Sequence, residues 1–179
     1  MVRGERREVI GKVLLTGRPG CGKTTLVKRV VNELAVPAGG FYTEEIRERG
    51  GRVGFKLVTL DGKEAVLAHV DFKTPQRVGK YGLDLSALEI IGVEALRAAV
   101  RARKLVVIDE IGPMEIRSAS FRDVVHEALD SGAPILGTIT ARPFPFTDAI
   151  KKRRDLALIE VRPDNREQLV SELSEQFKR

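Results

Sequence analysis

The sequence predicts a three-layer α/β/α fold around a mostly parallel sheet, extended by an antiparallel β-meander near residues 38–70, in one domain spanning residues 1–179. Three observations carry this expectation. A short apolar run, Lys12-Val13-Leu14-Leu15-Thr16, feeds into Gly17-Arg18-Pro19-Gly20-Cys21-Gly22-Lys23-Thr24, whose Gly-x-x-x-x-Gly-Lys-Thr spacing is that of a phosphate-cradling P-loop. Further along, brief apolar runs alternate with amphipathic segments, as strands and helices do when a parallel sheet is covered on both faces. Residues 38–70 instead alternate polar and apolar side chains between glycine turns, the pattern of hairpins.

Behind the loop, Leu26, Val27, Val30, Val31 and Leu34 fall on one face of a helix running to residue 34. Gly39-Gly40-Phe41-Tyr42-Thr43 opens the extended stretch. Gly50-Gly51 and Asp61-Gly62 supply its turns, with strands over residues 52–58 and 65–70. Residues 73–83 are expected to form a loop. Leu85, Leu88, Ile91, Ala95, Leu96, Ala99 and Val100 mark a helix of several turns. Leu105-Val106-Val107-Ile108 is continuously apolar, as in a strand buried on both faces. Phe121, Val124, Val125, Ala128 and Leu129 give another helix, ended by Ser131-Gly132. A strand at 134–140, a proline-rich loop at 142–145 and a basic segment at 150–154 precede a last strand at 156–161. The closing helix starts near Asp164, where Glu167 is placed for a capping box and Leu169, Val170, Leu173 and Phe177 face inward.

The composition excludes several classes. No apolar run approaches the roughly 20 residues needed to span a bilayer, and the charged segment Met1 to Glu8 lacks the apolar stretch of a signal peptide. Cys21 is the only cysteine, so no internal disulfide can form and a cytoplasmic location is expected. The net charge of +6 would suit a nucleic-acid partner, but no aromatic-rich recognition motif accompanies it. Cations on the surface or facing a polyphosphate are the simpler reading. Abundant Glu, Lys and Arg, no Trp and a single Cys point to a thermophile. A monomer is expected. His69 and His126 have no metal-ligand spacing around them.

The chemistry resides in two places. The loop glycines let backbone N–H groups approach a polyphosphate, and the following helix adds its positive dipole end. Lys23 is expected to reach the β- and γ-phosphates, and the Thr24 hydroxyl to ligate Mg²⁺. The second element, Leu105-Val106-Val107-Ile108-Asp109-Glu110-Ile111-Gly112, ends an apolar strand in two carboxylates, at the tip where open α/β sheets bind ligands. Asp109 suits the Mg²⁺ sphere, reached through a retained water. Glu110 is the candidate to orient or deprotonate an attacking water. An acid pair of this kind favours hydrolysis over transfer to a bound acceptor.

Further strings narrow the class. Gly40-Phe41-Tyr42-Thr43-Glu44-Glu45-Ile46-Arg47, Arg52-Val53-Gly54-Phe55, Arg77-Val78-Gly79-Lys80-Tyr81-Gly82, Ile108-Asp109-Glu110-Ile111-Gly112-Pro113-Met114-Glu115 and Asn165-Arg166 accompany the loop. With these, nearly the whole chain resembles the small P-loop nucleoside-triphosphatase family, typified by a thermophile nucleoside-triphosphate phosphohydrolase and a human cancer-related nucleoside-triphosphatase. The resemblance implies Mg²⁺-dependent hydrolysis of nucleoside triphosphates (ATP, GTP, CTP and UTP) to diphosphate and phosphate, with residues 17–24 and 105–112 as the nucleotide-contacting stretches. It also draws attention to Thr43 and Glu44, which are otherwise ordinary strand residues. Pro113 departs from the basic residue common at that position.

Other candidates are ranked lower. Thr25 follows in register with Thr24. Arg142 is the first candidate for a cation that stabilises transition-state charge, with Lys151-Lys152-Arg153-Arg154 second; without such an arginine, turnover is expected on the order of 10⁻⁴ to 10⁻³ per second. Asn165 and Arg166 are placed to border the base, or simply to start a helix. Glu115 is either an acid supporting the site or a helix-start carboxylate. Two alternatives remain open on sequence alone: a small nucleoside or metabolite kinase, and a nucleotide-gated nucleic-acid-binding module.

Overall fold

The computed structural model describes residues 11–178, so the reading of Met1 to Glu8 lies outside the described residues. β1 (Lys12–Thr16) leads through the glycine loop into α1 (Lys23–Leu34). β2 (Ala38–Glu48), β3 (Gly51–Thr59) and β4 (Glu64–His69) form the meander, followed by β5 (Arg77–Val78) and β6 (Tyr81–Leu83). A continuous helical segment comprises α2 (Leu85–Ala87), a π-helical stretch (Leu88–Val93) and α3 (Glu94–Arg101). Then come β7 (Leu105–Ile111), a 3₁₀ turn (Glu115–Arg117), α4 (Ala119–Asp130), β8 (Ile135–Ile139), α5 (Pro145–Lys151), β9 (Ala157–Glu160) and α6 (Arg166–Phe177).

All these strands join one sheet in the order β5-β6-β4-β3-β2-β7-β8-β1-β9. From β2 to β9 every pairing is parallel; from β2 to β5 every pairing is antiparallel. β2 is therefore the seam between the predicted parallel core and its extension. Gly40 makes that seam possible. Its φ is +117°, and a Cβ there would lie 2.0 Å from the Val107 carbonyl oxygen. Beyond it, Phe41 pairs with Ile108, and so the next residues of β2 run alongside the acidic tip of β7.

Alternation along the strands builds two cores. Val13, Leu15, Val107 and Leu136 pack with Leu26, Val27 and Val30 of α1 and Leu169 and Leu173 of α6. Leu14, Val106, Ile108 and Ile135 pack on the opposite face with Phe41, Leu88, Leu96, Phe121 and Val124. Asp84 and Ser118 cap α2 and α4 through their side chains, accepting from the Ala87 and Phe121 N–H groups. Loss of these orphan-donor partners is typically worth about 1 kcal/mol per cap.

Four expectations need correction. Residues 77–83 are the β5–β6 hairpin rather than loop; strands of two and three residues are too short to show a period. The proline-rich loop and basic segment contain α5, because Pro145 sits at its first turn, where its fixed φ favours a helix start. The helix over residues 85–101 is π-helical for a third of its length. Finally, no capping box forms at α6: Glu167 instead makes a bidentate ion pair with Arg29 of α1, at 2.6 and 3.0 Å.

Candidate functional site

Gly22 immediately precedes α1 at its N-cap, with a φ of +95° that no residue with a Cβ adopts readily. The helix has neither a capping side chain nor an acidic residue in its first turn. Its N-terminal N–H groups and positive dipole end therefore face the cleft uncompensated by protein, as an anion site requires. Lys23 is nearly buried, and its Nζ donates to the Gly17 and Arg18 carbonyls at 3.1 Å each. Arg18 and Cys21 shape the loop through their backbones, with the Cys21 N–H donating to the Arg18 carbonyl.

Two strands away in the sheet, Asp109 follows the apolar run of β7 and is 1% exposed. Its Oδ1 accepts a 2.6 Å hydrogen bond from the buried Thr138 hydroxyl of β8. Its Oδ2 is buried with no partner of hydrogen-bonding geometry. Burial pushes the Asp109 carboxyl up; the hydroxyls of Thr138 and Thr24, then the Thr43 backbone and the Lys23 charge, pull it back. The Thr43 hydroxyl donates to the Asp109 carbonyl at 2.7 Å, which ties β2 to the tip. Glu110 is also raised, first by burial and then by Asp109, against the Lys23 charge. Gly112 leaves room for it: a Cβ there would lie 2.4 Å from Glu110 Oε1. Glu115, 4% exposed, is pushed well up by burial and by the neighbouring carboxylates of Glu110 and Asp109.

These groups share one cleft of about 550 Å³. Gly17, Pro19, Gly20, Gly22, Lys23, Thr24 and Thr25 line it from the phosphate loop and α1, Asp109, Glu110 and Glu115 from β7 and the 3₁₀ turn, and Thr140 and Arg142 from the segment after β8. Thr43, Glu44, Arg52, Phe55 and Val78 line it from β2, β3 and β5, which lie beyond β7 from β1 in the sheet and mark its far end, and Met114 lines it from the segment after β7. Leu105, Val106, Val107 and Ile108 are buried in the sheet and support the tip from within; Ile111 continues the strand. The Arg142 guanidinium lies over the Phe144 ring, 5.5 Å from its centroid.

Other predicted residues lie outside the cleft. Arg166 packs against Gly22 of the loop, its Nη1 2.8 Å from where a Cβ would be. Asn165 is occupied by the turn between β9 and α6: its amide donates to the Glu160 carbonyl and its Oδ1 accepts from the Arg162 N–H. In the basic segment, Lys151 faces Asp148, and Arg153 is held by Asp130 and Asp155. His126 stacks edge-on against Phe146. Sequence reasoning missed Thr138, and the signal was available: a lone hydroxyl inside the apolar run of β8. The contributions of Arg52, Phe55, Val78 and Met114 carried no local chemical signal.

Among the described residues, no group of three or more His, Cys, Asp and Glu side chains is arranged to hold a metal. No helix there is long and apolar enough to cross a membrane.

Comparison with known proteins places the chain. A sequence model described as NTPase matches residues 12–174. The chain is 49% identical over 162 residues to the nucleoside-triphosphatase THEP1 of Thermotoga sp. strain RQ2, covering 90% of this chain and 92% of that one. It is 38% identical over 177 residues to the human cancer-related nucleoside-triphosphatase, covering 90% and 93%. The crystal structure of THEP1 from Aquifex aeolicus superposes with a TM-score of 0.86 at 35% identity, over 94% of this chain and 99% of that chain. The solution structure of the human protein superposes with a TM-score of 0.79 at 36% identity, over 93% and 97%.

Proposed function

The chain belongs to the NTPase family, and from that membership we propose that it hydrolyses ATP, GTP, CTP and UTP to diphosphate and phosphate, with Mg²⁺ held by Thr24 and Asp109 and water activated by Glu110. The observation that carries this reading is the buried, unpartnered Oδ2 of Asp109, which shares one cleft with Thr24 and the phosphate loop. A carboxylate oxygen left bare in the interior is costly unless a cation or its water completes it. The donor set is all oxygen, which suits Mg²⁺. With few protein ligands, the ion would share its sphere with phosphate oxygens and water. When bound there, it would polarise the β- and γ-phosphate oxygens and offset their charge.

The chain's own groups divide the remaining work. The uncapped N-terminus of α1 and the loop N–H groups bind the polyphosphate. Lys23 exchanges its two loop carbonyls for β- and γ-phosphate oxygens, a stronger, charge-assisted pairing. Glu110, made more basic by burial and by Asp109, orients the water and takes its proton. Arg142, which lines the same cleft, is the candidate to meet charge developing on the γ-phosphate.

Phosphate release should be measured for each triphosphate with and without Mg²⁺. The expected result is slow release from all four that is lost with chelator. Glu110→Gln should cut turnover by about 10²- to 10⁴-fold, the usual contribution of a general base, while nucleotide still binds. Wild-type turnover in that variant would remove Glu110 from the mechanism.

A further inference from the structure

The cleft is longer than hydrolysis needs. The loop cradles the α- and β-phosphates, and Lys23 and the cation site take the β- and γ-phosphates. The γ-phosphate therefore points from β1 towards Asp109 and Glu110 on β7, and the nucleoside lies at the opposite end of the chain of phosphates. This orientation rests on the function proposed above. The sheet does not stop at β7: β2 and β3 continue in the same direction, two strand spacings or roughly 10 Å further. That extra length is walled by half-buried apolar groups, Phe55 of β3, Val78 of the β5–β6 hairpin and Met114 of the segment after β7. A polyphosphate has no use for such a wall, and the substrate's own base is directed away from it.

The wall is organised. The Arg52 guanidinium lies 5.0 Å from the Phe55 ring centroid, and Phe55 meets Tyr81 edge-on at 5.3 Å. Its charges are already matched. Arg52 donates to Glu45 and to the Tyr81 hydroxyl, while Glu44 is paired with Lys28 and Lys56. A phosphorylated ligand would bring its charge towards Glu110, Glu115 and Asp109. A neutral ligand with a flat ring meets no such obstacle. It can lie on Phe55 and Met114, and its hydroxyls can donate to the carboxylates at the rim.

We propose that the far end of the cleft, walled by Phe55, Val78 and Met114, binds an uncharged nucleoside as a second substrate and that the protein transfers the γ-phosphoryl group to it in competition with water. The nucleoside hydroxyl oxygen forms a bond to the γ-phosphorus as the bond from that phosphorus to the β–γ bridging oxygen breaks. The nucleoside diphosphate leaves with that electron pair, and the hydroxyl proton passes to Glu110, the same base that serves water. The products are a nucleoside monophosphate and a nucleoside diphosphate, with no change in redox state.

The test uses the whole protein with Mg²⁺ and ATP carrying radioactive phosphorus at the γ position, in the presence of adenosine, guanosine, cytidine, uridine or thymidine, separating phosphate from monophosphate by chromatography. The expected result is labelled monophosphate from at least one nucleoside. Its ratio to labelled phosphate should fall about tenfold in Phe55→Ala, the size of one lost base-stacking contact. Met114→Ala should lower the ratio in the same direction and covers the case in which Phe55→Ala does not fold. Phosphate release with no labelled monophosphate from any of the five nucleosides would overturn the inference and leave hydrolysis standing. Absence of both products would overturn the hydrolytic reading and this one with it. An unchanged ratio, with a raised KM that differs between ATP and CTP, would overturn it by assigning the wall to the substrate's own base.

Discussion

Asp109 carries two neighbours whose removal should be separable in experiment. The Thr138 hydroxyl is its only hydrogen-bond donor on Oδ1 among the described residues, and both groups are buried. Thr138→Val keeps the shape but strands a carboxylate oxygen, so unfolding by urea should show a loss of about 1–3 kcal/mol. Unchanged stability would mean that water reaches Oδ1. Glu115 makes a prediction of opposite sign. Burial, then Glu110 and Asp109, raise its folded-state value above that of the unfolded chain. Between those two values the native state holds the extra proton, so stability declines as pH rises through that window and stays lower above it. Without nucleotide or metal, Glu115→Gln should therefore raise the urea midpoint at neutral and higher pH, and change it little near about pH 4. An equal effect at both pH values would show that the proton plays no part.

At the scale of elements, the β2–β7 junction decides whether the site assembles. Among the described residues it is the only pairing through which the antiparallel half of the sheet reaches the acidic tip, and Gly40 permits it. In Gly40→Ala the methyl group meets the Val107 carbonyl while φ stays in a region alanine disfavours, at a cost on the order of 3 kcal/mol. The loss should appear in urea unfolding and, at permissive temperature, as weakened hydrolysis, because Thr43 no longer meets the Asp109 carbonyl. Strands and helices with full-length periodicity were legible beforehand: β1, α1, β7, α4 and α6 lie where their apolar spacing put them. The β5–β6 hairpin and α5 were not. The first is held by pairing with β4, a contact distant in sequence, and the second by a proline whose helix-starting role depends on where it sits in the turn.

For the whole molecule, ligand binding and folding are linked. A non-hydrolysable triphosphate with Mg²⁺ at about 100 times its Kd should add about 2.7 kcal/mol to stability. In a domain this size that corresponds to a Tm shift of roughly 5–10 °C. Lys23→Ala should abolish most of that shift, and chelator should shrink it. A full shift in Lys23→Ala would place the nucleotide elsewhere. By itself, the sequence determined the phosphate loop, the paired acids of the β7 tip, the parallel core and the family, because each is written in local spacing or in contiguous strings. Tertiary structure alone decided that Thr138 completes Asp109, that Glu115 is buried among like charges, that Asn165 serves a turn, and that β3 and the β5–β6 hairpin wall the far end of the cleft. The turn at Asn165 aside, those facts depend on strand order and register, which bring together residues far apart in the chain, and no local pattern of side chains encodes them.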